Sequence, residues 1–148
     1  MVGFYDRIRM MNVFADSIQQ YKDLPFKQCS EIVFSNGGHL FACMYQYLIH
    51  VFNFYTAHNP TNFTFKAHDG AIRSIAWLQD DTGFVSSGHD NMIYFWNIFA
   101  KEGERNPVWG LSVPNVDLSC LKVFKAEGDK SSPSVFVTGQ DKTIREIK

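Results

Sequence analysis

Short bursts of alternating apolar and polar residues run along this chain, separated by turn-forming residues. Lys66 to Ile98 reads KAHDGAIRSIAWLQDDTGFVSSGHDNMIYFWNI. Within it, IRSIAW alternates as a half-buried strand does, and LQDDTG supplies the Asp and Gly of a tight turn. FVSSG is a second strand, HDN a second turn and MIYFWN a third strand. The connections leave no room for a helix, so the strands are consecutive and antiparallel. Outer strands are predicted at IQQYKD (18–23), NFTFK (62–66) and VWGLSV (108–113). In NFTFK, Phe63 and Phe65 share one face, and Asn62, Thr64 and Lys66 the other.

The unit recurs. EIVF (31–34) aligns with SIAW (74–77), LFACM with FVSSG, and LIHVFN (48–53) with MIYFWN (92–97). A later copy comprises LKVF (121–124), VFVTGQD (135–141) and TIREIK (143–148), while DRIRMMN (6–12) resembles only the last of these strands. Met11, Phe52, Trp96 and Ile147 are then equivalent, at spacings of 41, 44 and 51. A period in the forties carrying three or four short strands is the pattern of a β-propeller blade. All five prolines fall between the proposed strands, where a missing N–H costs nothing.

The predicted fold is all-β: a partial β-propeller of about 13 strands, open at both ends and part of a larger propeller. Residues 1–24 form the end of one blade, 25–66 a degenerate blade, 67–113 a blade with a complete polar set, and 114–148 an incomplete blade. Propellers close with about 4–8 four-stranded blades, and unpaired strand edges associate. Further blades from the same or another chain are therefore expected, and a compact, stable monomer is not.

Composition narrows the function. Across 148 residues, 14 Lys and Arg face 15 Asp and Glu, a net charge of −1, which argues against a nucleic-acid partner. No apolar run approaches the roughly 20 residues of a membrane helix, and Asp6, Arg7 and Arg9 break any leader-like stretch at the N-terminus. Three cysteines argue against a disulfide framework and suit a cytosolic-type protein. Fourteen Phe, six Tyr and three Trp suit strands.

Several clusters invite chemistry. His68, Ser86 and Asp90 have the residue types of a hydrolase triad, but Ser86 lies inside a predicted strand and no G-x-S-x-G elbow is present. Cys29, His39, Cys43 and His50 are zinc-ligand types without the paired spacing of a structural zinc site. Ser35-Asn36-Gly37-Gly38 is a hairpin turn and no phosphate cradle, since no helix follows. Asn62-Phe63-Thr64 is an incidental glycosylation sequon. Asp80 and Asp81 occupy a turn and are expected to be solvated. In FNFYTAHNPTNFTF (52–65), Phe54, Tyr55, Phe63 and Phe65 are candidate partner-contact aromatics.

KAHDGAIRSIAW…DD…FVSSGHD…IYFWN resembles a WD repeat. CSEIVFSNGGHLFACMYQYLIHVFN (29–53), followed by AHDGAIRSIAWLQDD and preceded by DRIRMMN, resembles the ciliary WD-repeat family of cilia- and flagella-associated protein fifty-seven. The match covers residues 6–97. The WD resemblance implies that His68, Ser86, Asp90 and Trp96 form a structural tetrad of hydrogen bonds. The preceding copy carries Ala42, Gln46 and Phe52 at the Ser, Asp and Trp positions. The following copy keeps Asp141 but has Val137 and Ile147.

The family resemblance further implies a non-enzymatic protein-interaction scaffold in the axoneme of motile cilia and flagella. Its implied partners are inner-arm dynein, the dynein regulatory complex and other doublet-microtubule proteins, with no cofactor, metal or catalytic residue. Family members carry a long coiled coil, whereas no sustained heptads appear in this sequence. A general cytosolic WD scaffold, in ubiquitin ligases or trafficking, is the alternative, and a hydrolase the remote one.

Overall fold

The computed structural model describes residues 1–56, 64–100, 106–114, 116–124 and 133–147. Among these residues it contains fourteen strands and no helix. They form four antiparallel sheets whose strands follow chain order. The first sheet comprises β1 (Val2–Gly3), β2 (Ile8–Val13) and β3 (Ile18–Leu24), and the second β4 (Glu31–Phe34), β5 (Leu40–Tyr45), β6 (Leu48–Asn53) and β7 (Thr64–Lys66). The third comprises β8 (Ile72–Trp77), β9 (Gly83–Gly88), β10 (Met92–Asn97) and β11 (Trp109–Ser112). β12 (Leu118–Phe124), β13 (Ser134–Gly139) and β14 (Ile144–Ile147) make the fourth. The strand beyond the thirteen expected is β1, whose two residues pair with Arg9 and Ile8 and are too few to show alternation. Asn62 and Phe63 of the predicted NFTFK strand lie outside the described residues.

Adjacent sheets stack face to face on three apolar layers. Ile8, Met10 and Leu24 of the first sheet meet Phe41, Cys43 and Phe52 of the second. Ala42, Met44, Ile49, Val51 and Phe65 meet Ile75, Trp77, Phe84 and Trp96 of the third. Ala76, Val85 and Ile93 meet Leu118, Leu121, Val135 and Val137 of the fourth. Fully burying one such large side chain stabilises by about 1.5–3 kcal/mol. Two-residue alternation along each strand feeds both layers flanking an inner sheet.

One isoleucine marks the repeat. Ile49 pairs with Met44, Ile93 with Ser87 and Ile144 with Thr138, the same place near the head of each third strand. Ile8 occupies that place on β2. Ile8, Ile49 and Ile93 are each 0% exposed under the following sheet, whereas Ile144 is 73% exposed.

Candidate functional site

The third sheet carries the most connected polar group. Trp96 on β10 donates its indole N–H to Ser86 Oγ on β9 at 2.8 Å. Ser86 Oγ lies 2.7 Å from His68 Nε2, and His68 Nδ1 lies 2.9 and 3.0 Å from the two oxygens of Asp90. A carboxylate only accepts, so Nδ1 carries the ring proton and Nε2 accepts from the Ser86 hydroxyl. Asp90 also accepts from the backbone N–H groups of Asp69 at 3.1 Å and Met92 at 3.2 Å. The chain thus runs from β10 through β9 to the segment entering β8 and back to the β9–β10 turn. Burial holds the His68 pKa below the usual imidazole value, only partly offset by Asp90.

This order matches that of a hydrolase triad, but the environment does not. Ser86 is wholly buried and its oxygen already accepts from Trp96. A nucleophile requires an approach for substrate; what this arrangement can do is brace one sheet.

The equivalent places in the second sheet correct one expectation. Phe41 pairs with Phe52 and Cys43 with His50, as Phe84 pairs with Trp96 and Ser86 with Tyr94. Cys43, and not Ala42, therefore stands at the serine position, while Ala42 points to the opposite face and its layer. The hairpin turn of the second sheet is shorter by one residue, Gln46–Tyr47 against His89–Asp90–Asn91, so matching the two copies through their turns displaces the strand by one. Phe26 packs edge-on to His50 at 5.0 Å and to Phe52 at 5.6 Å, much as His68 packs against Tyr94 at 4.7 Å. An apolar ring substitutes for the imidazole. In the fourth sheet Val137 and Ile147 stand at the serine and tryptophan places. There Asp141 accepts from Thr143 and pairs with Arg145, which hold its carboxyl below the usual range.

Asp81 departs from the solvated state expected of it. It is buried, with φ of 55°, and its carboxylate accepts from the backbone N–H of Asn36 at 2.8 Å and of Gly37 at 2.7 Å. Asn36 Nδ2 donates to Leu78 O at 2.6 Å. The Ser35–Gly38 hairpin turn therefore does cradle an anion, one supplied by the neighbouring sheet. A Cβ on Gly37 would come within 2.9 Å of that carboxylate.

The candidate contact aromatics divide. Tyr55 is 73% exposed, and Phe54 is half-buried against Phe34 and Tyr55. Phe65 is a correction: at 1% exposure it is core, edge-on to Phe84 and Trp96. β7 is outermost in its sheet, yet Phe65 is on the side facing the third sheet. Phe63 lies outside the described residues.

Phe14 and Phe99 are exposed aromatics at a repeated position that the sequence reading did not single out. Asn53 Oδ1 accepts from the N–H groups of Tyr55 and Thr56 at 3.0 and 3.2 Å, and Asn97 Oδ1 from that of Phe99 at 2.8 Å. Each asparagine ends a third strand and turns the chain so that the aromatic two residues on projects outward. Phe99 is 73% exposed like Tyr55, and Phe14, two residues beyond the equivalent Asn12, is also exposed. The repeated Asn-x-aromatic was the available signal. A cavity of about 340 Å3 lined by Leu40, Val51, Asn53, Ile98 and Phe99 opens beside this rim.

Among the described residues no group of three or more Cys, His, Asp or Glu is arranged to hold a metal. His39 Nδ1 lies 3.7 Å from Asp81, while His50 Nδ1 bonds Thr64 Oγ1 at 3.0 Å. No helix among them is long and apolar enough to cross a membrane.

Residues 59–97 match the family model described as WD domain, G-beta repeat. The crystal structure of RRP9 WD40 repeats superposes with a TM-score of 0.69 at 18% identity, over 86% of this chain and 38% of that one. The chain is a partial β-propeller of the WD-repeat class. Within that class it resembles cilia- and flagella-associated protein 57. The mouse protein of that name is 35% identical over 150 aligned positions, covering 99% of this chain. Cilia- and flagella-associated protein 57 A of Tetrahymena thermophila is 41% identical over 98 residues, and protein 57 C is 42% identical over 108, each covering 66% of the chain. The chain spans 8 to 11% of the length of these curated relatives.

Proposed function

We propose that this chain is a non-catalytic protein-interaction scaffold of the axoneme in motile cilia and flagella. It works beside inner-arm dynein and the dynein regulatory complex on the doublet microtubules. The ciliary part rests on the names of the relatives that match it, one of them along almost the whole chain. The scaffold part rests on one observation: exposed aromatics recur two residues beyond equivalent asparagines in three successive sheets, Phe14, Tyr55 and Phe99. Rigid sheets presenting evenly repeated aromatic anchors suit protein binding and supply no chemistry. Further blades, from this polypeptide or another, cover the exposed Ile144 face of the fourth sheet.

Cross-linking mass spectrometry on purified doublet microtubules tests this. Links from Lys66 or Lys122 to inner-arm dynein or regulatory-complex subunits are expected. Presence in cytosol with absence from axonemes overturns the ciliary assignment and leaves a general WD scaffold. Tyr55→Ser combined with Phe99→Ser should leave the melting temperature nearly unchanged, because both side chains project into solvent. Axonemal retention should fall several-fold; unchanged retention removes the rim as the contact surface.

A further inference from the structure

Cys29 and Cys43 lie side by side in the layer between the first and second sheets. Cys43 on β5 is wholly buried, and Cys29, half-buried, packs against the same cluster just ahead of β4. The segment carrying Cys29 is tied to β5 by Ser30, whose N–H and hydroxyl both donate to Met44 O, at 2.9 and 3.1 Å. Cys29 Sγ donates to Glu31 O at 3.0 Å. Interaction with the neighbouring Cys43 side chain holds Cys29 below the ordinary thiol pKa, against its burial, and the same interaction together with burial pushes Cys43 up. Cys120, on β12 of the fourth sheet, is exposed and outside that layer.

We propose that Cys29 and Cys43 form a reversible redox-modification site that closes to a disulfide on reaction with a peroxide. Cys29 is the attacking sulfur because it alone of the pair reaches solvent, and the thiolate is the nucleophilic form. Its sulfur bonds one peroxide oxygen, the O–O bond breaks, and the departing hydroxide takes a proton to leave as water. The Cys43 sulfur then attacks the resulting sulfenic acid. The S–S bond forms, the S–O bond breaks, and the hydroxyl leaves with the Cys43 proton as a second water. Two thiols have lost two protons and two electrons, and the peroxide is reduced to two waters; a dithiol reductant reverses the step by exchange.

The bond would staple the linker between sheets to β5. That linker also supports the first sheet: Gln28 N–H donates to Tyr5 O at 3.0 Å, and a Cβ on Gly3 would lie 3.4 Å from Cys29 O. Closure therefore secures the joint between the first two sheets.

The test treats the full chain carrying Cys120→Ser with hydrogen peroxide, alkylates remaining thiols after denaturation, and digests without reduction. A peptide cross-linked through Cys29 and Cys43 is expected, lost on adding dithiothreitol, together with a raised melting temperature in the oxidised protein. In Cys43→Ser the cross-link cannot form, and dimedone should trap Cys29 sulfenic acid. Alkylation of both cysteines after oxidation, or sulfinic Cys29 beside an unmodified Cys43, overturns the proposal.

Discussion

The indole of Trp96 and the ring of Phe52 occupy equivalent places, but only the indole donates a hydrogen bond, to Ser86 at 2.8 Å. Trp96→Phe opens space in the core and strips Ser86 of its donor, and should cost about 2–4 kcal/mol. Phe52→Leu trims an apolar contact and should cost about 1 kcal/mol; equal losses in chemical denaturation would contradict the structural role of the tetrad. Acid adds a second signature. Burial depresses the pKa of both His68 and His50 in the folded chain, so the unfolded chain binds protons first on acidification. The stability of the neutral rings is complete above the unfolded value of about 6.5 and is lost as pH falls from there through the lower folded values. The melting temperature should therefore drop between about pH 7.5 and about pH 5, and a flat profile would show that these rings titrate freely. At this scale residue types were readable but partners were not. Cys43 could not be told from Ala42 at the serine place, because a turn shorter by one residue reverses which face each strand residue takes.

Between sheets, one polar link joins turns rather than strands. Asp81 reaches from the β8–β9 turn into the β4–β5 turn and accepts from Asn36 and Gly37. Asp81→Ala leaves those donors and the Asn36 amide under-satisfied and should cost about 2–4 kcal/mol. Asp81→Asn keeps one acceptor oxygen and should cost less; a neutral alanine variant in a thermal melt would mean that water replaces the carboxylate. Strands, turns and outer-strand positions were legible because alternation and Gly, Asp and Pro punctuation are local. Phe65 and Asp81 were misjudged for one reason: burial on an outer strand or at a turn tip is conferred by the neighbouring sheet, and no local pattern reports it.

As a whole the molecule is a stack of four sheets with three apolar layers. The propeller class was legible from the repeat period alone. Which faces are covered was not, since the same isoleucine is sealed at 8, 49 and 93 and open at 144. That open face, with the free edge of β14, should make the isolated chain self-associate. Ile144→Lys should shift sedimentation toward monomer with little change in melting temperature, and an unchanged distribution would place the association elsewhere. The stacking order also governs motion. The second and third sheets are clamped on both faces, the first and fourth on one, and such linear arrays open from their ends. Amide hydrogen exchange should accordingly be fastest in β1 and β14 and slowest in β9. Tyr55 and Phe99 then stand on slow-exchanging ground while Phe14 rides a fraying end, so a partner gripping all three would quieten the first sheet as it binds.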